Sequence, residues 1–220
     1  MPIAFFDLDR TLLSVNSGSG WVRAEYTDGH ISRWQLLRAT LWLARYHLGL
    51  AEMEAVLQDA IAAYAGEPEA ALRDRTHRFY EREIRHQIRP GALDALDRHR
   101  AAGDRLVLLT TSSNYLSERV GHQLALDDWL CSRFEVDAHG RLTGRPITLC
   151  YGPHKVALAT AWAADHGVAL ADCAFYSDSI TDAPMLEAVG RPVVVQPDPR
   201  LRRLARARGW REEDWGLAPG

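Results

Sequence analysis

The chain has almost no lysine. Of its 26 Lys and Arg side chains only Lys155 is a lysine. It either marks a place that needs a compact ammonium rather than a planar fork, or survives by chance in an arginine-rich composition. Cysteine is scarce too: Cys131, Cys150 and Cys173 are odd in number and far apart. That argues against a disulfide framework or a zinc cluster and fits a reducing, cytoplasmic setting. No stretch approaches the roughly 18 uncharged apolar residues of a membrane span. The start shows no basic segment followed by a long apolar run, so no signal peptide is expected. Like charges form no block. The net charge of -3 gives no reason to expect nucleic acid as a partner. Nothing fixes an oligomeric state.

What is present is ordinary globular material: 220 residues, 47% hydrophobic and 25% charged. That suffices for one domain with a real core, or for a core domain with a smaller insertion. Short apolar runs at 3–6, 105–111, 173–178 and 192–196 read as strands buried on both faces, the mark of a parallel sheet. Helical stripes lie between them. They are Leu93, Leu96 and His99; Tyr115, Arg119 and Val120; Val156, Ala157, Ala161 and Trp162; Met185, Leu186 and Val189; Leu201, Leu204 and Ala205. The alternation predicts an α/β fold with a doubly wound parallel sheet.

Residues 14–88 interrupt it with helical stripes alone, first Met53, Val56, Leu57, Ala60, Ile61 and Tyr64, then Leu72, Thr76, Phe79 and Tyr80. The expected division is a core of 1–13 and 89–220 with a helical insertion over 14–88, returning at Arg89-Pro90-Gly91. A β-hairpin is expected within 134–150, with His139-Gly140 near its turn.

The chemistry gathers at strand ends. Asp7 and Asp9 follow the first strand, Thr110, Thr111 and Ser112 the second, Asp178 and Asp182 the third. In an open α/β sheet ligands bind beyond the carboxyl ends of the strands. If these strands are neighbours, several carboxylates converge, and ionised carboxylates in a small space need a cation. All-oxygen donors suit a hard ion, Mg²⁺ with retained waters. Carboxylates, hydroxyls and one ammonium around Mg²⁺ are equipment for phosphate. An Asp can attack phosphorus, and a second can act as acid and then base.

Asp7-Leu8-Asp9-Arg10-Thr11 resembles the DxDxT signature of the haloacid dehalogenase superfamily. Thr110 resembles the hydroxyl ending its second motif, Lys155 its third-motif base, and Asp178-Ser179-Ile180-Thr181-Asp182 its fourth motif, usually GDSxxD. The insertion after the first strand is similar to the phosphoserine-phosphatase-like branch. The resemblance implies a Rossmann-like core, a helical cap and a small phosphomonoester as substrate. It implies Asp7 as nucleophile and Asp9 as general acid and base. Mg²⁺ would sit on the side chains of Asp7 and Asp178 and the carbonyl of Asp9. Asp182 would support the metal through water or orient Lys155. Thr110 and Lys155 would hold the phosphoryl group, with Ser112 as a second contact.

Two positions depart from that pattern. Ser177 replaces the usual Gly before Asp178, so no positive φ is expected there and little functional loss. Asn16, a candidate substrate contact, stands where phosphoserine phosphatases carry a Glu for the substrate's ammonium, which argues against phosphoserine.

Other readings stay open. Asp182 could cap the following helix, as could Ser112 or Ser113 theirs. Lys155 could be a surface residue at a helix start. Trp34, Arg38, Leu41 and Arg45 share one helical stripe. It is a packing face, a substrate-facing patch with Arg38 or Arg45 on an anionic group, or a membrane-surface helix of a lipid-phosphate phosphatase. Trp21, Arg23 and Tyr26 could touch substrate. A non-catalytic phospho-ligand binder is the rival class, against which the intact Asp7 and Asp9 argue. A phosphotransferase or a phosphonatase is a third option, and the phosphonatase variant lacks the cap lysine it needs.

Overall fold

The computed structural model describes residues 2–37 and 53–218. Arg38, Leu41 and Arg45 lie outside the described residues, and Trp34 is exposed. None of the described helices is long and apolar enough to cross a membrane.

Seven strands form one sheet. They are β1 (Ile3–Phe6), β2 (Arg105–Ser113), β3 (Asp128–Val136), β4 (Leu142–Thr148), β5 (Ala174–Ser177), β6 (Arg191–Val195) and β7 (Arg211–Glu213). Their order is β4-β3-β2-β1-β5-β6-β7, parallel throughout except for β4. β1 is central, and all four of its residues are buried because both faces of the sheet are covered. Phe6 joins Leu96, Leu108, Val120 and Trp215 in the core on one side. Phe5 joins Val107, Ala163, Met185 and Leu201 on the other.

The helices are α1 (Ser17–Thr27), α2 (Met53–Ala62), α3 (Glu69–Phe79), α4 (Pro90–Ala101), α5 (Asn114–Gln123), α6 (Gly152–Asp165), α7 (Ala183–Ala188) and α8 (Pro199–Arg208). Two expected stripes are corrected. α4 buries Ala92, Ala95, Leu96 and His99 and leaves Leu93 exposed. His99 is held there by Asp104 at 2.6 Å and the Tyr176 hydroxyl at 2.8 Å, and that pairing sets the inward face. α6 turns Lys155, Ala159 and Ala163 inward and exposes Ala157 and Ala161. Positions i, i+4 and i+8 share that face, so Ala157 and Ala161, each two residues on from a buried position, fall on the opposite side, while Val156 and Trp162 pack partly buried against the core as expected.

Two strand segments went unforeseen. Residues 128–133 continue the main sheet beside β2, so the 134–150 hairpin is the outer end of β3 with β4. β7 is three charged residues at the sheet edge, where charge blocks pairing with another chain. The hairpin turn closes on Asp137, whose Oδ1 accepts from His139 N at 2.8 Å and Arg141 N at 2.9 Å, with Gly140 at φ 73°.

Main-chain bonds tie the helical segment to the rest of the chain at two places. Where the chain leaves and returns, Ser14 N donates to Gln87 O at 2.8 Å and Arg89 N to Leu12 O at 2.9 Å. The α2–α3 connection is bonded to the hairpin. Gly66 N donates to Leu142 O (2.8 Å), Leu142 N to Glu67 O (2.9 Å) and Glu69 N to Gly140 O (2.9 Å).

Candidate active site

β1 lies between β2 and β5, so the three carboxyl ends that carry Asp7, Thr110 and Asp178 are side by side. Asp7 stays on the sheet through its N–H to Tyr176 O at 2.9 Å. The chain then turns sharply over Leu8–Leu12, with Arg10 at φ 58°, a left-handed conformation uncommon for a residue with a side chain. The turn brings Asp9 under the first turn of α1, where its Oδ1 accepts from Ser17 N at 2.6 Å. A carboxylate at a helix N-terminus is favoured by the unpaired amides there.

Lys155 enters from α6. Its Nζ donates to Asp7 Oδ1 at 2.7 Å and Asp182 Oδ2 at 2.9 Å, and the side chain is 2% exposed. Burial works against the ammonium, but Asp182 and Asp7 outweigh it and push its pKa above the usual lysine range. The surface reading of Lys155 therefore falls. The helix-capping reading of Asp182 falls as well. Asp182 stands at the N-cap of α7 without a side-chain bond to it, and its Oδ2 takes Lys155 and the Ser177 hydroxyl at 2.7 Å instead. Ser177 is fully buried, has no positive φ, and adds a bond that a glycine could not make.

Thr110 is buried, and its Oγ1 accepts from Ser112 N at 3.2 Å. Ser112 Oγ stands 3.4 Å from Ser17 Oγ. The N-cap of α5 is Ser113, which makes no side-chain cap bond. Asn16 caps α1, its Oδ1 accepting from Ser19 N at 2.8 Å. Arg23 is exposed and pairs with Glu83 at 3.3 Å.

Asp198 was missed. Its Oδ2 accepts from Ile180 N at 2.7 Å and its N–H donates to Asp178 O at 2.8 Å, which pins the 178–182 loop. Oδ1 caps α8 through Arg200 N and Leu201 N. The local signal was present, an Asp-Pro pair opening a helix.

The acids carry an uncompensated load. Burial, with Asp182 and Asp9 adding to it against Lys155, raises Asp7 to about 7. Burial, then Asp7 and Asp182, raises Asp178 to about 8. Burial also raises Asp9, against its bond to Ser17. Among the described residues no group of three or more His, Cys, Asp or Glu forms a ready-made metal cage. Asp9 and Asp182 each have one carboxyl oxygen engaged, Asp7 takes Lys155 on Oδ1 and the Thr11 hydroxyl on Oδ2 at 3.4 Å, and a cation would share these oxygens with Asp178. One or two carboxylates with retained waters is the donor set Mg²⁺ takes, and such an ion would relieve the repulsion between them.

A family model for haloacid dehalogenase-like hydrolases matches residues 4–187. The chain belongs to this family. A phosphoserine phosphatase of Mycobacterium tuberculosis is 30% identical to it, covering 98% of this chain and 71% of that protein. A histidinol-phosphatase of Neisseria meningitidis is 27% identical, covering 94% and 96%. The solved structure of a protein of unknown function from Bordetella pertussis has a TM-score of 0.89 at 31% identity, covering 98% of this chain and 99% of that one. This haloacid dehalogenase-like hydrolase lies on the phosphoserine-phosphatase-like branch and is of the phosphatase type.

Proposed function

We propose that the chain is a Mg²⁺-dependent phosphomonoester hydrolase acting on a small phosphorylated metabolite through an aspartyl-phosphate on Asp7. The single observation that carries this reading is the buried Lys155 ammonium bridging Asp7 and Asp182 at the end of β1. Such an ammonium lies where phosphoryl oxygens would meet it when the substrate presents phosphorus to Asp7. Thr110 supplies a hydroxyl from the neighbouring strand.

The Asp7 carboxylate forms a bond to phosphorus as the bond from phosphorus to the alcohol oxygen breaks. Asp9, raised by burial and so able to hold a proton, gives it to the departing alkoxide. The same Asp9 then takes a proton from a water that attacks the aspartyl-phosphate, releasing inorganic phosphate and restoring Asp7. Lys155 and Thr110 hold the phosphoryl oxygens through both steps. Asp7 and Asp178 through their side chains, and Asp9 through its carbonyl, would hold Mg²⁺, with Asp182 acting on it through water. When bound, the ion neutralises charge on the phosphoryl oxygens.

In this reading residues 14–88 are the cap over a core of 1–13 and 89–220, and its closure excludes water. Asn16, with its side-chain oxygen spent on the helix cap, offers no charge to a substrate ammonium. The buried free thiols Cys131, Cys150 and Cys173 fit a cytoplasmic location.

Turnover of p-nitrophenyl phosphate with Mg²⁺ tests the proposal. Chelation by EDTA and the substitution Asp7→Asn should each abolish it. Wild-type turnover by Asp7→Asn refutes the assigned chemistry.

A further inference from the structure

A cavity of about 180 Å³ lies between the helical segment and the sheet. It adjoins the carboxylates through Ser17, whose N–H holds Asp9, and through Thr111 and Ser112, which follow Thr110 on β2. Its walls are Trp21 from α1, Leu57 and Ile61 from α2, Phe79 from α3 and Phe134 from the hairpin. None of the described residues that line it carries a charge. Tyr64 adds a directional group to the apolar wall. Its hydroxyl oxygen accepts from Trp21 Nε1 at 2.8 Å, which leaves the phenolic proton to donate. Burial pushes this phenol up to about 12, so it remains a neutral donor across the working range of pH.

In the phosphatase reading, a phosphoryl group held at Lys155 and Thr110 has this cavity as a neighbour through Ser17, Thr111 and Ser112, where its alcohol would lodge. An ammonium or carboxylate entering the cavity would lose its water and meet no opposite charge on the described walls. An apolar ring would bury its faces against Trp21 and Phe134, and a dry apolar cavity of about 150 Å³ is enough for benzene. We infer that the leaving alcohol is uncharged and apolar, of the size of one six-membered ring, and that Leu57, Ile61 and Phe134 select it over phosphorylated amino acids and amino alcohols. The inference rests on the phosphatase reading of the site and names the substrate class of that site.

The test compares kcat/KM for benzyl phosphate, O-phospho-L-serine and phosphoethanolamine with Mg²⁺, all three being alkyl phosphates with primary-alcohol leaving groups. Methyl phosphate serves as a substrate too short to enter the cavity. Benzyl phosphate is expected to exceed both charged substrates by at least tenfold, the discrimination that about one well-packed methylene group gives. Leu57→Glu, checked for folding by its melting curve, should shift the ratio of benzyl phosphate to phosphoethanolamine by at least tenfold toward the amine. Leu57→Met should hold the ratio near its original value. Equal or better turnover of phosphoserine overturns the inference and leaves the phosphatase reading standing. An unchanged ratio in a folded Leu57→Glu overturns it as well. Failure of all four esters by protein that still hydrolyses p-nitrophenyl phosphate overturns the inference, and failure of p-nitrophenyl phosphate as well overturns the phosphatase reading itself.

Discussion

Replacing Lys155 by Met removes the ammonium and keeps a stem of similar length. The side chain is 2% exposed, and Nζ lies 2.7 Å from Asp7 and 2.9 Å from Asp182. In Lys155→Met two buried carboxylates face one another with no cation between them. Removing one partner of a buried ion pair costs about 3–5 kcal/mol, because the remaining charge stays desolvated. A chain of this length loses roughly 2–4 °C of Tm per kcal/mol, so the melting point falls on the order of 10 °C. Thermal unfolding without metal at about pH 8 reads the loss. The stranded acids relieve each other by taking up a proton, so the fall is smaller at about pH 5.5. Turnover of p-nitrophenyl phosphate drops roughly 10²–10³-fold with the donor gone. A second change, Asp182→Asn, removes one of the stranded charges, so the double variant melts above Lys155→Met alone. Two results would refute the reasoning: a Lys155→Met protein that melts with the wild type, or losses from Lys155→Met and Asp182→Asn that simply add.

Three further outcomes follow from the same geometry. Ser177→Ala loses a buried bond to the Asp182 carboxylate; a hydrogen bond to a charged group is worth about 1.5–3 kcal/mol, so Tm should drop on the order of 5 °C in differential scanning fluorimetry. In metal-free protein Asp7 and Asp178, raised to about 7 and 8 chiefly by burial, keep protons that the unfolded chain releases near pH 4. Stability should therefore fall as pH rises from about 4 to 8, and the rise in Tm on adding Mg²⁺ should grow across the same interval; a flat response would count against a cation between these acids. Gly190→Ala would set a Cβ 1.8 Å from the Ala171 carbonyl oxygen, far from the carboxylates, so urea unfolding should show a loss of at least about 1–3 kcal/mol with kcat/KM unchanged.

What could be read from the sequence was whatever local pattern decides. The run at β1 announces itself because both faces of that strand are covered, so every residue is apolar. β7 is invisible by the same logic, since an edge strand of Arg211, Glu212 and Glu213 carries charge to stay unpaired. On α6 the apolar stripe finds Val156 and Trp162, which pack partly buried on the core, but not the turn to Ala159 and Ala163, because a buried lysine at 155 carries no hydrophobic signal. The motif acids were legible from spacing and order. The bonds that hold them were not. Ser177 to Asp182 spans five residues through a turn, and Asp198 reaches Ile180 from the far side of β6. Such contacts exist only once the sheet has fixed its neighbours. Asn16 was weighed as a binding residue, whereas its placement before a helix already carried the signal of an N-cap.

In the proposed reading of residues 14–88 as a cap, the bonds between the α2–α3 connection and the β-hairpin constrain how substrate gets in. A cover attached by one pair of crossing strands can swing like a door. This one is latched on its opposite side as well, by three main-chain bonds to Gly140 and Leu142. Either those three bonds break at every admission, or the hairpin travels with the helices and the outer half of β3 flexes. In the second case the gate's true hinge includes the register irregularities of β3 between Arg133 and Val136, well away from the point where the chain leaves the sheet.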